Sequence, residues 1–405
     1  MKKVLLSLIV LGLSSFAYAA EKIAEGQVVR LDGSTISFAK LTDRIDQLVK
    51  AANVQGLTVA VFNDGLPVYS KAFGFADLPN KRPLKTTTEM YGASLSKAVF
   101  AALVMKLVGQ GVIDLDKPLQ SYLQEPLWKK QSDGDIEWHE DLSDLREAPR
   151  YRKITARMCL SHTTGLPNWR WFEPDHKLRI HFEPGERYSY SGEGMVLLQI
   201  VLEKLTGKSV EQLMRENIFT PYGMAMSSYT WQPRFERDYA MGHDTDGSTF
   251  PRDKDNAARA PSTLETTTED YVRFMSAVLD GGGISEAARK EMFSPQIRIR
   301  SKTQFGPGAG EITDRYDDIQ LSYGLGWGLF HTQYGWAAFK EGHHDEGFQN
   351  YSIVYPERGM GVLLMSNSNN AESIFGYLLS ATIAEKEFPN DWGGYIPLDK
   401  GKLSE

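Results

Sequence analysis

The chain of 405 residues is 41% hydrophobic and 24% charged. This composition is typical of a soluble globular protein, and the length suits one large domain with insertions or two domains. The formal net charge of -7 argues against nucleic acid or an anionic membrane surface as the main partner.

The N-terminal residues have the pattern of a secretory signal peptide, which predicts a periplasmic or secreted protein. Lys2 and Lys3 form a basic start, residues 4–13 are a short apolar run, and the Ala-Tyr-Ala sequence at 17–19 fits a cleavage site. An uncleaved anchor is the alternative, and the shortness of the apolar run argues against it. No later segment is apolar enough to cross a bilayer, so we expect no stable membrane insertion after cleavage.

Residues 20–405 are predicted to form one domain without an internal disulfide. Cys159 is the only cysteine of the chain, so the hydrophobic core must supply the stability. Because Cys159 lies between two apolar residues, we expect it to be a small buried side chain.

The N-terminal elements surround a buried helix. In chain order the sequence predicts an amphipathic helix over 41–52, strands over 57–62 and 68–73 joined by an Asn-Asp-Gly turn, and a broadly apolar helix from Ser94. A mostly helical lobe of about 110–290 should follow. Its predicted features are helices over 194–205, 210–218 and 271–279, a capping box at 266–269, and a highly charged, exposed insertion at 131–150.

Strand patterns return toward the C-terminus. The predicted elements are strands over 325–330, 336–340, 350–355 and 361–365 and a closing helix over 371–384. Because strands occur at both ends of the chain, the predicted fold class is α+β. It has an antiparallel sheet flanked by N- and C-terminal helices, plus the helical lobe, with the active site in the cleft between them.

Ser94 and Lys97 are three positions apart and therefore share one face of the apolar helix. An amine beside a hydroxyl can take its proton if the protein keeps the amine neutral. This requires the lysine pKa to fall from about 10.4 by roughly three units, or about 4 kcal/mol. The alternative interpretations are that Ser94 only caps the helix and that Lys97 is solvated. Ser37 and Lys40 share the spacing, but Ser37 follows a turn and precedes an amphipathic helix, which favours a capping or strand serine there.

Further motifs accompany Ser94 and Lys97 in a fixed order. They are a Leu-Ser-His-Thr-Thr-Gly-Leu run at 160–166, Tyr190 after a Pro-Gly turn, Leu-Thr-Gly at 205–207, Ile-Phe-Thr-Pro-Tyr-Gly-Met at 218–224, and Tyr-Gly-Leu-Gly-Trp-Gly at 323–328. Together they resemble the penicillin-recognising serine hydrolases, specifically the class C β-lactamase branch with its esterase and D-amino-acid peptidase relatives. The resemblance extends over nearly all of the mature chain.

The resemblance implies an acyl-enzyme on Ser94, with Lys97 and Tyr190 sharing the proton transfers as a coupled pair. A tyrosine that only packs in the core is the alternative for Tyr190. In the family an asparagine follows two residues after the tyrosine, and it helps to hold the lysine and a substrate amide. This chain has Gly192 at that substrate-binding position.

A third family element is a lysine or histidine, any residue, and a glycine on a strand at the edge of the site. Lys340 and Gly342 fit it, with Glu341 in place of the usual threonine or serine. His343 or His344 is the alternative cation. The resemblance implies that Lys340 attracts a substrate carboxylate. It also implies that the backbone N–H of His343 pairs with that of the nucleophile as an oxyanion hole, each donor worth about 3–4 kcal/mol.

No metal or cofactor is predicted. The run 343–346 contains two histidines and two acids, but neighbouring strand residues point to opposite faces, which disfavours a compact metal site. His162 could act in a serine–histidine–acid triad, whereas the resemblance makes it structural.

The sequence leaves the substrate open among a β-lactam, a D-amino-acid peptide and an ester, with a small molecule or peptide as the expected partner. Gly192 and Glu341 both weaken the case for a β-lactam. Trp169, Trp171 and Phe172 either line the cleft or form a packed cluster. The hypothesis from another functional class is a non-catalytic protein that binds cell-wall fragments, and the oligomeric state is not predicted.

Overall fold

A computed structural model describes residue 22 and residues 25–129, 137–254, 256–399 and 401. Within them, the largest sheet contains nine strands, all antiparallel, in the order β5-β4-β3-β13-β12-β11-β10-β9-β8. Its strands are β3 (Gly56–Asn63), β4 (Leu66–Asp77), β5 (Arg82–Pro83), β8 (Ile297–Arg298), β9 (Ser322–Tyr323), β10 (Gly328–Thr332), β11 (Gly335–His344), β12 (Phe348–Tyr355) and β13 (Met360–Ser366).

The two ends of the chain meet in the middle of this sheet. β3 pairs with β13, for example Ala60 with Leu363. Every residue of β3, β12 and β13 is buried, because helices cover both faces of the sheet. The predicted α+β class is confirmed, including the joining of N- and C-terminal strands.

One face of the sheet packs on the terminal helices. These are α1 (Phe38–Ala51) and α9 (Phe375–Ile383), and a short α10 (Asn390–Gly393) follows. Leu41, Ile45 and Leu48 recur at helical spacing and form the buried stripe of α1. Ser37 caps α1 by accepting the Lys40 N–H, so it has the capping role expected of the second Ser-x-x-Lys pair. The small sheet of β1 (Gln27–Val29) and β2 (Thr35–Ser37) precedes α1.

The opposite face of the sheet packs on the lobe. Its helices are α2 (Ser96–Gly109), α3 (Ala156–Leu160), α4 (Gly192–Thr206), α5 (Val210–Met214), α6 (Thr220–Tyr222), α7 (Thr268–Asp280) and α8 (Glu286–Met292). α2 is apolar on all sides and lies buried in this core, as its sequence predicts. Cys159 is buried here too.

Three local predictions differ from the structure. The N-cap of α7 is Thr267, one residue later than the predicted box, and it accepts from the Asp270 N–H. The predicted helix 210–218 changes to a π-turn at Arg215. The lobe also contains an unpredicted strand, β7 (Glu265–Thr267), which pairs with β6 (Glu89–Tyr91) in a separate two-stranded sheet.

The charged insertion is only partly exposed, in contrast to the prediction. His139, Leu142 and Leu145 are buried, since the 3-10 turns of its described part place these side chains toward the lobe. The predicted signal peptide lies outside the described residues. No helix in the described part of the chain combines the length and apolarity that a membrane crossing needs.

Candidate active site

The chain turns sharply at Ser94, between β6 and α2. Ala93 has a φ of 47°, and residues 93–95 form a 3-10 turn before α2 begins at Ser96. A non-glycine residue in this left-handed region costs of order 1–3 kcal/mol, which the surrounding structure must hold in place. Ser96 supports the turn, because its hydroxyl donates to Ala93 O and accepts the Leu264 N–H at 3.0 Å. Ser94 makes no helix cap, since the cap position is Leu95.

Lys97 is buried beside this turn, with 1% of its surface exposed. Its Nζ lies 2.9 Å from Ser94 Oγ and donates to the Pro261 carbonyl oxygen at 2.9 Å. Burial, and then the positive charge of Lys340, lower the pKa of Lys97 well below 10.5, although Glu341 opposes the shift. Lys97 is therefore not a solvated lysine, and its amine faces the Ser94 hydroxyl.

Tyr190 completes the group around Ser94. Its ring centroid lies 4.7 Å from Lys97 Nζ and 4.9 Å from Lys340 Nζ, and its hydroxyl interacts with the side chains of Ser94 and Lys340. Burial raises the pKa of Tyr190, and Lys340 offsets this only in part.

Lys340 enters the site from β11, which continues beyond its neighbour β10. β10 pairs with β11 only as far as Phe339, so the following residues present a strand edge to the Ser94 turn. Gly342 packs closely there, because a Cβ at this position would lie 2.4 Å from Gly92 O and 3.1 Å from the Leu95 nitrogen. Only glycine permits this approach of strand to turn.

The Lys340 ammonium is fully buried and paired. Its Nζ lies 3.3 Å from Glu341 Oε1, which also accepts a hydrogen bond from Gln304. Burial acts to lower the pKa of Lys340, but Glu341 and Tyr190 outweigh burial and raise it. The pair is thus a buried ion pair within the site.

The alternative cations, His343 and His344, contact residues other than Tyr190. His343 bonds to Glu372 at 2.8 Å and to Asp345 at 2.9 Å, and these carboxylates raise its pKa to about 9. The His344 ring packs on Tyr91, and burial lowers its pKa. Of the three candidate cations, Lys340 is the one beside Tyr190. The oxyanion role of the His343 N–H stays a prediction.

Gly192 begins α4, and a tryptophan occupies the space beside it. A Cβ at Gly192 would lie 2.9 Å from two ring atoms of Trp169 and 2.8 Å from Asn168 O. The Gly192 N–H also donates to this carbonyl at 3.0 Å. An asparagine therefore cannot fit at position 192 while Trp169 keeps its place.

His162 lies behind Tyr190 as a neutral ring. Its Nδ1 accepts the Ser191 N–H at 3.2 Å, its Nε2 lies 3.2 Å from the Tyr323 hydroxyl, and its ring centroid is 4.4 Å from that of Tyr190. Burial, together with Lys97, lowers the pKa of His162 well below 6.5. These contacts position Tyr190. Among the described residues, no cluster of three or more His, Cys, Asp or Glu side chains could hold a metal ion.

Pro261 and Gln304 contact the site, but the sequence patterns do not predict them as site residues. Pro261 contributes a backbone oxygen, which no side-chain pattern can reveal. Gln304 lies in a loop far along the chain from Glu341 and belongs to none of the recognised motifs.

Comparison with known proteins agrees with this geometry. The family model described as Beta-lactamase matches residues 41–380, most of the chain. The chain belongs to the Beta-lactamase family. Members of this family are serine hydrolases on the β-lactamase and transpeptidase-like fold.

Individual relatives of this Beta-lactamase family chain are distant. Penicillin-binding protein 4* of Bacillus subtilis is 25% identical over 76% of this chain and 67% of its own length. D-aminopeptidase of Brucella anthropi is 32% identical over 42% of this chain and 32% of its own length. The octameric penicillin-binding protein homologue from Pyrococcus abyssi has a TM-score of 0.68 at 21% identity, covering 89% of this chain and 80% of that one. The match to the D-aminopeptidase thus includes less than two thirds of that relative.

Proposed function

We propose that the protein is a serine hydrolase that forms an acyl-enzyme on Ser94. The observation that carries the proposal is the buried Lys97 amine, 2.9 Å from Ser94 Oγ, with its pKa lowered well below 10.5. A neutral amine at this distance can accept the hydroxyl proton as the nucleophile attacks.

The reaction proceeds in two balanced steps. Ser94 Oγ bonds to the acyl carbon while its proton passes to the Lys97 and Tyr190 pair, and the leaving group departs with a proton from that pair. Water then attacks the acyl-enzyme, gives up a proton to the pair, and the Ser94 hydroxyl is restored. Because the amine and the phenol lie side by side, they titrate as one unit.

The favoured substrate is an ester without a carboxylate near the scissile bond. Lys340 is fully buried and its charge is matched by Glu341 at 3.3 Å, so it offers little attraction to a substrate anion. Gly192 provides no side-chain amide for a substrate amide. A β-lactam and a D-amino-acid peptide, suggested by the relatives' names, remain the other candidates.

Covalent labelling tests the nucleophile. A fluorophosphonate and a fluorescent penicillin are incubated with wild type, Ser94→Ala and Ser37→Ala, and adducts are read by intact mass. We expect fluorophosphonate labelling of wild type and of Ser37→Ala, which changes the other Ser-x-x-Lys pair, and none of Ser94→Ala. An adduct that persists in Ser94→Ala would refute the assignment. No adduct with either probe and no ester turnover would favour the binding protein for cell-wall fragments.

Substrate choice is tested with three reporters: a p-nitrophenyl ester, a chromogenic cephalosporin and a D-alanyl dipeptide. We expect the ester to have the highest kcat/KM. A higher value for the cephalosporin or the dipeptide would overturn the ester preference while leaving Ser94 as the nucleophile.

We also propose that the protein is exported, on the basis of its N-terminal residues. Expression in a Gram-negative host and N-terminal sequencing of the mature protein should give Ala20 as the first residue. Retention of Met1 in the purified protein would contradict export.

A further inference from the structure

Three tryptophans pack together beside the start of α4. Trp169 stacks on Trp171 with ring centroids 4.8 Å apart and planes 12° from parallel. Trp138 packs edge-on against both, at 6.0 Å from Trp169 and 4.8 Å from Trp171. We call these residues the tryptophan platform.

The platform adjoins the candidate catalytic centre. Trp169 occupies the space next to Gly192, two residues after Tyr190. On the other side of Tyr190, the Phe305 ring packs edge-on at 5.2 Å. Aromatic rings thus lie beside both Gly192 and Tyr190.

Hydrogen bonds hold the platform rigidly to α4. The Asn168 carbonyl accepts the N–H groups of Gly192 and Glu193 at 3.0 and 3.1 Å. The buried Glu193 carboxylate accepts the backbone N–H of Arg170 and two bonds from its guanidinium, at 2.8–2.9 Å. A clamped segment of this kind is preorganised, so little ordering cost remains when a ligand binds.

The platform is partly open to solvent. Trp171 is 43% exposed and Trp138 36%, and the neighbouring Phe172 is 67% exposed. Phe305 is 49% exposed. Four of the seven large hydrophobic residues that are exposed in the described part of the chain thus lie around one site, and such clustering marks an interaction surface.

Two cations near the platform are each paired with a carboxylate. Arg170 is neutralised by Glu193, and Lys340 by Glu341. An aromatic face beside these two pairs suits an uncharged aromatic group, which can pack on it by offset or edge-on stacking.

We propose that the tryptophan platform binds an uncharged aromatic group of the ester substrate, with Trp171 as the contact residue. This inference rests on the proposed acylation of Ser94 and adds the substrate class. The aromatic group belongs either to the acyl part or to the alcohol part of the ester, and both arrangements place it on the same surface.

The test compares three esters by pH-stat: methyl phenylacetate, with an aromatic acyl group, benzyl acetate, with an aromatic alcohol, and methyl butyrate as an aliphatic reference. In wild type at least one aromatic ester should have a kcat/KM at least about 10-fold above the reference. In Trp171→Ala the kcat/KM of that aromatic ester relative to methyl butyrate should fall about 10-fold, and Trp171→Phe should restore much of it. The ester series that responds identifies the side of the scissile bond that contacts the platform.

Trp336→Ala is the matched control. Trp336 lies at the far end of β11, where it packs on His331, and its replacement should leave the ratio unchanged. Thermal unfolding of each variant verifies that it is folded.

Two outcomes would overturn the inference, and they differ from failure of the proposed function. If the kcat/KM of each aromatic ester relative to methyl butyrate is the same in wild type and Trp171→Ala, the platform does not select the substrate. If a muramyl-peptide fragment inhibits wild type but not Trp171→Ala and aromatic esters show no preference, the platform binds sugar rings instead. If the fluorophosphonate fails to label Ser94 in wild type, the acyl-enzyme itself is wrong. Binding of benzyl acetate to Ser94→Ala, measured by tryptophan fluorescence, still reports on the platform in that case.

Discussion

Lys97 is a buried lysine whose pKa the fold lowers well below 10.5. The unfolded chain would expose it to water, where a lysine binds a proton up to about pH 10.4. Burial and the charge of Lys340 lower the pKa of Lys97 well below that value in the folded state. The burial that lowers this pKa therefore reduces the stability of the folded protein, a cost typical of a functional site.

Replacing Lys97 by methionine should abolish esterase activity and change how stability depends on pH. Between the lowered pKa and 10.5, the unfolded wild type binds one more proton than the folded protein. The unfolding free energy of wild type relative to Lys97→Met should therefore rise with pH in this window, by up to about 1.4 kcal/mol per pH unit. Urea unfolding at several pH values measures the slope, and kcat/KM should fall by about 10²–10⁴.

Lys40→Met is the control for Lys97→Met, because Lys40 is the exposed lysine of the other Ser-x-x-Lys pair. It should retain activity. A pH-independent stability difference between wild type and Lys97→Met would contradict the lowered pKa of Lys97.

Gly192 and Trp169 form a complementary pair. Gly192→Asn introduces a side chain where Trp169 ring atoms would lie 2.9 Å from its Cβ, so we expect a loss of about 1–3 kcal/mol in unfolding free energy. In a Trp169→Ala background the same change should cost less, since the ring is gone. A double-mutant cycle by urea unfolding measures this coupling, and additive effects would show that Trp169 does not set the residue at 192.

At the scale of elements, the site depends on how closely β11 approaches the Ser94 turn. Gly342→Ala should separate them, because the new Cβ would lie 2.4 Å from the Gly92 oxygen, a backbone atom that cannot swing aside. We expect a stability loss of about 1–3 kcal/mol and much slower fluorophosphonate labelling of Ser94. Gly109→Ala, in the last turn of α2 where a Cβ meets nothing within 4 Å, is the control and should label normally.

His343 links β11 to the turn before α9. Glu372 and Asp345 raise its pKa from 6.5 to about 9, so its stabilising effect is fully present below pH 6.5 and is lost as pH rises through about 9. His343→Asn should remove this dependence, with a difference of order 1 kcal/mol because the side chain is 44% exposed and solvent screens the pair. Melting temperatures of both proteins between pH 6 and 10 measure it, and parallel curves would contradict the linkage.

At the scale of the molecule, the sheet has two cores, and the C-terminal residues complete one of them. Phe375, Leu378, Leu379 and Ile383 of α9 are buried in the core that also contains α1. Burying each such side chain contributes about 1.5–3 kcal/mol to the free energy of unfolding. The four together therefore contribute an amount similar to the whole stability of a typical domain, about 5–15 kcal/mol. A chain ending at Ser366 should therefore lose cooperative thermal unfolding by circular dichroism, whereas one ending at Asp399 should keep it. A cooperative transition in the shorter chain would show that α9 is dispensable.

Much of the fold could be predicted from local patterns, together with the assumption that strands near both ends of the chain join one sheet. The stripe of α1, the all-apolar α2 and the Asn-Asp-Gly turn depend on residues close in sequence, so their spacing predicts them. The pairing of β3 with β13 followed from strand patterns at both ends. The short β7 could not be predicted, because its three residues form a strand only against β6, far away in the chain.

The sequence by itself identified the Ser94 and Lys97 pair, because the broadly apolar stretch after Ser94 distinguishes it from Ser37 and Lys40, which have the same spacing. It also located Tyr190 and Lys340 by motif and identified Gly192 and Glu341 as departures from the family pattern. Only the tertiary structure decided what those departures mean. Trp169 occupies the space beside Gly192, and Glu341 pairs with Lys340 and accepts a hydrogen bond from Gln304. The lowered pKa of Lys97 likewise depends on burial and on the charge of Lys340, 243 positions along the chain. Packing, burial and charge at a site arise from residues distant in sequence, which spacing alone does not bring together.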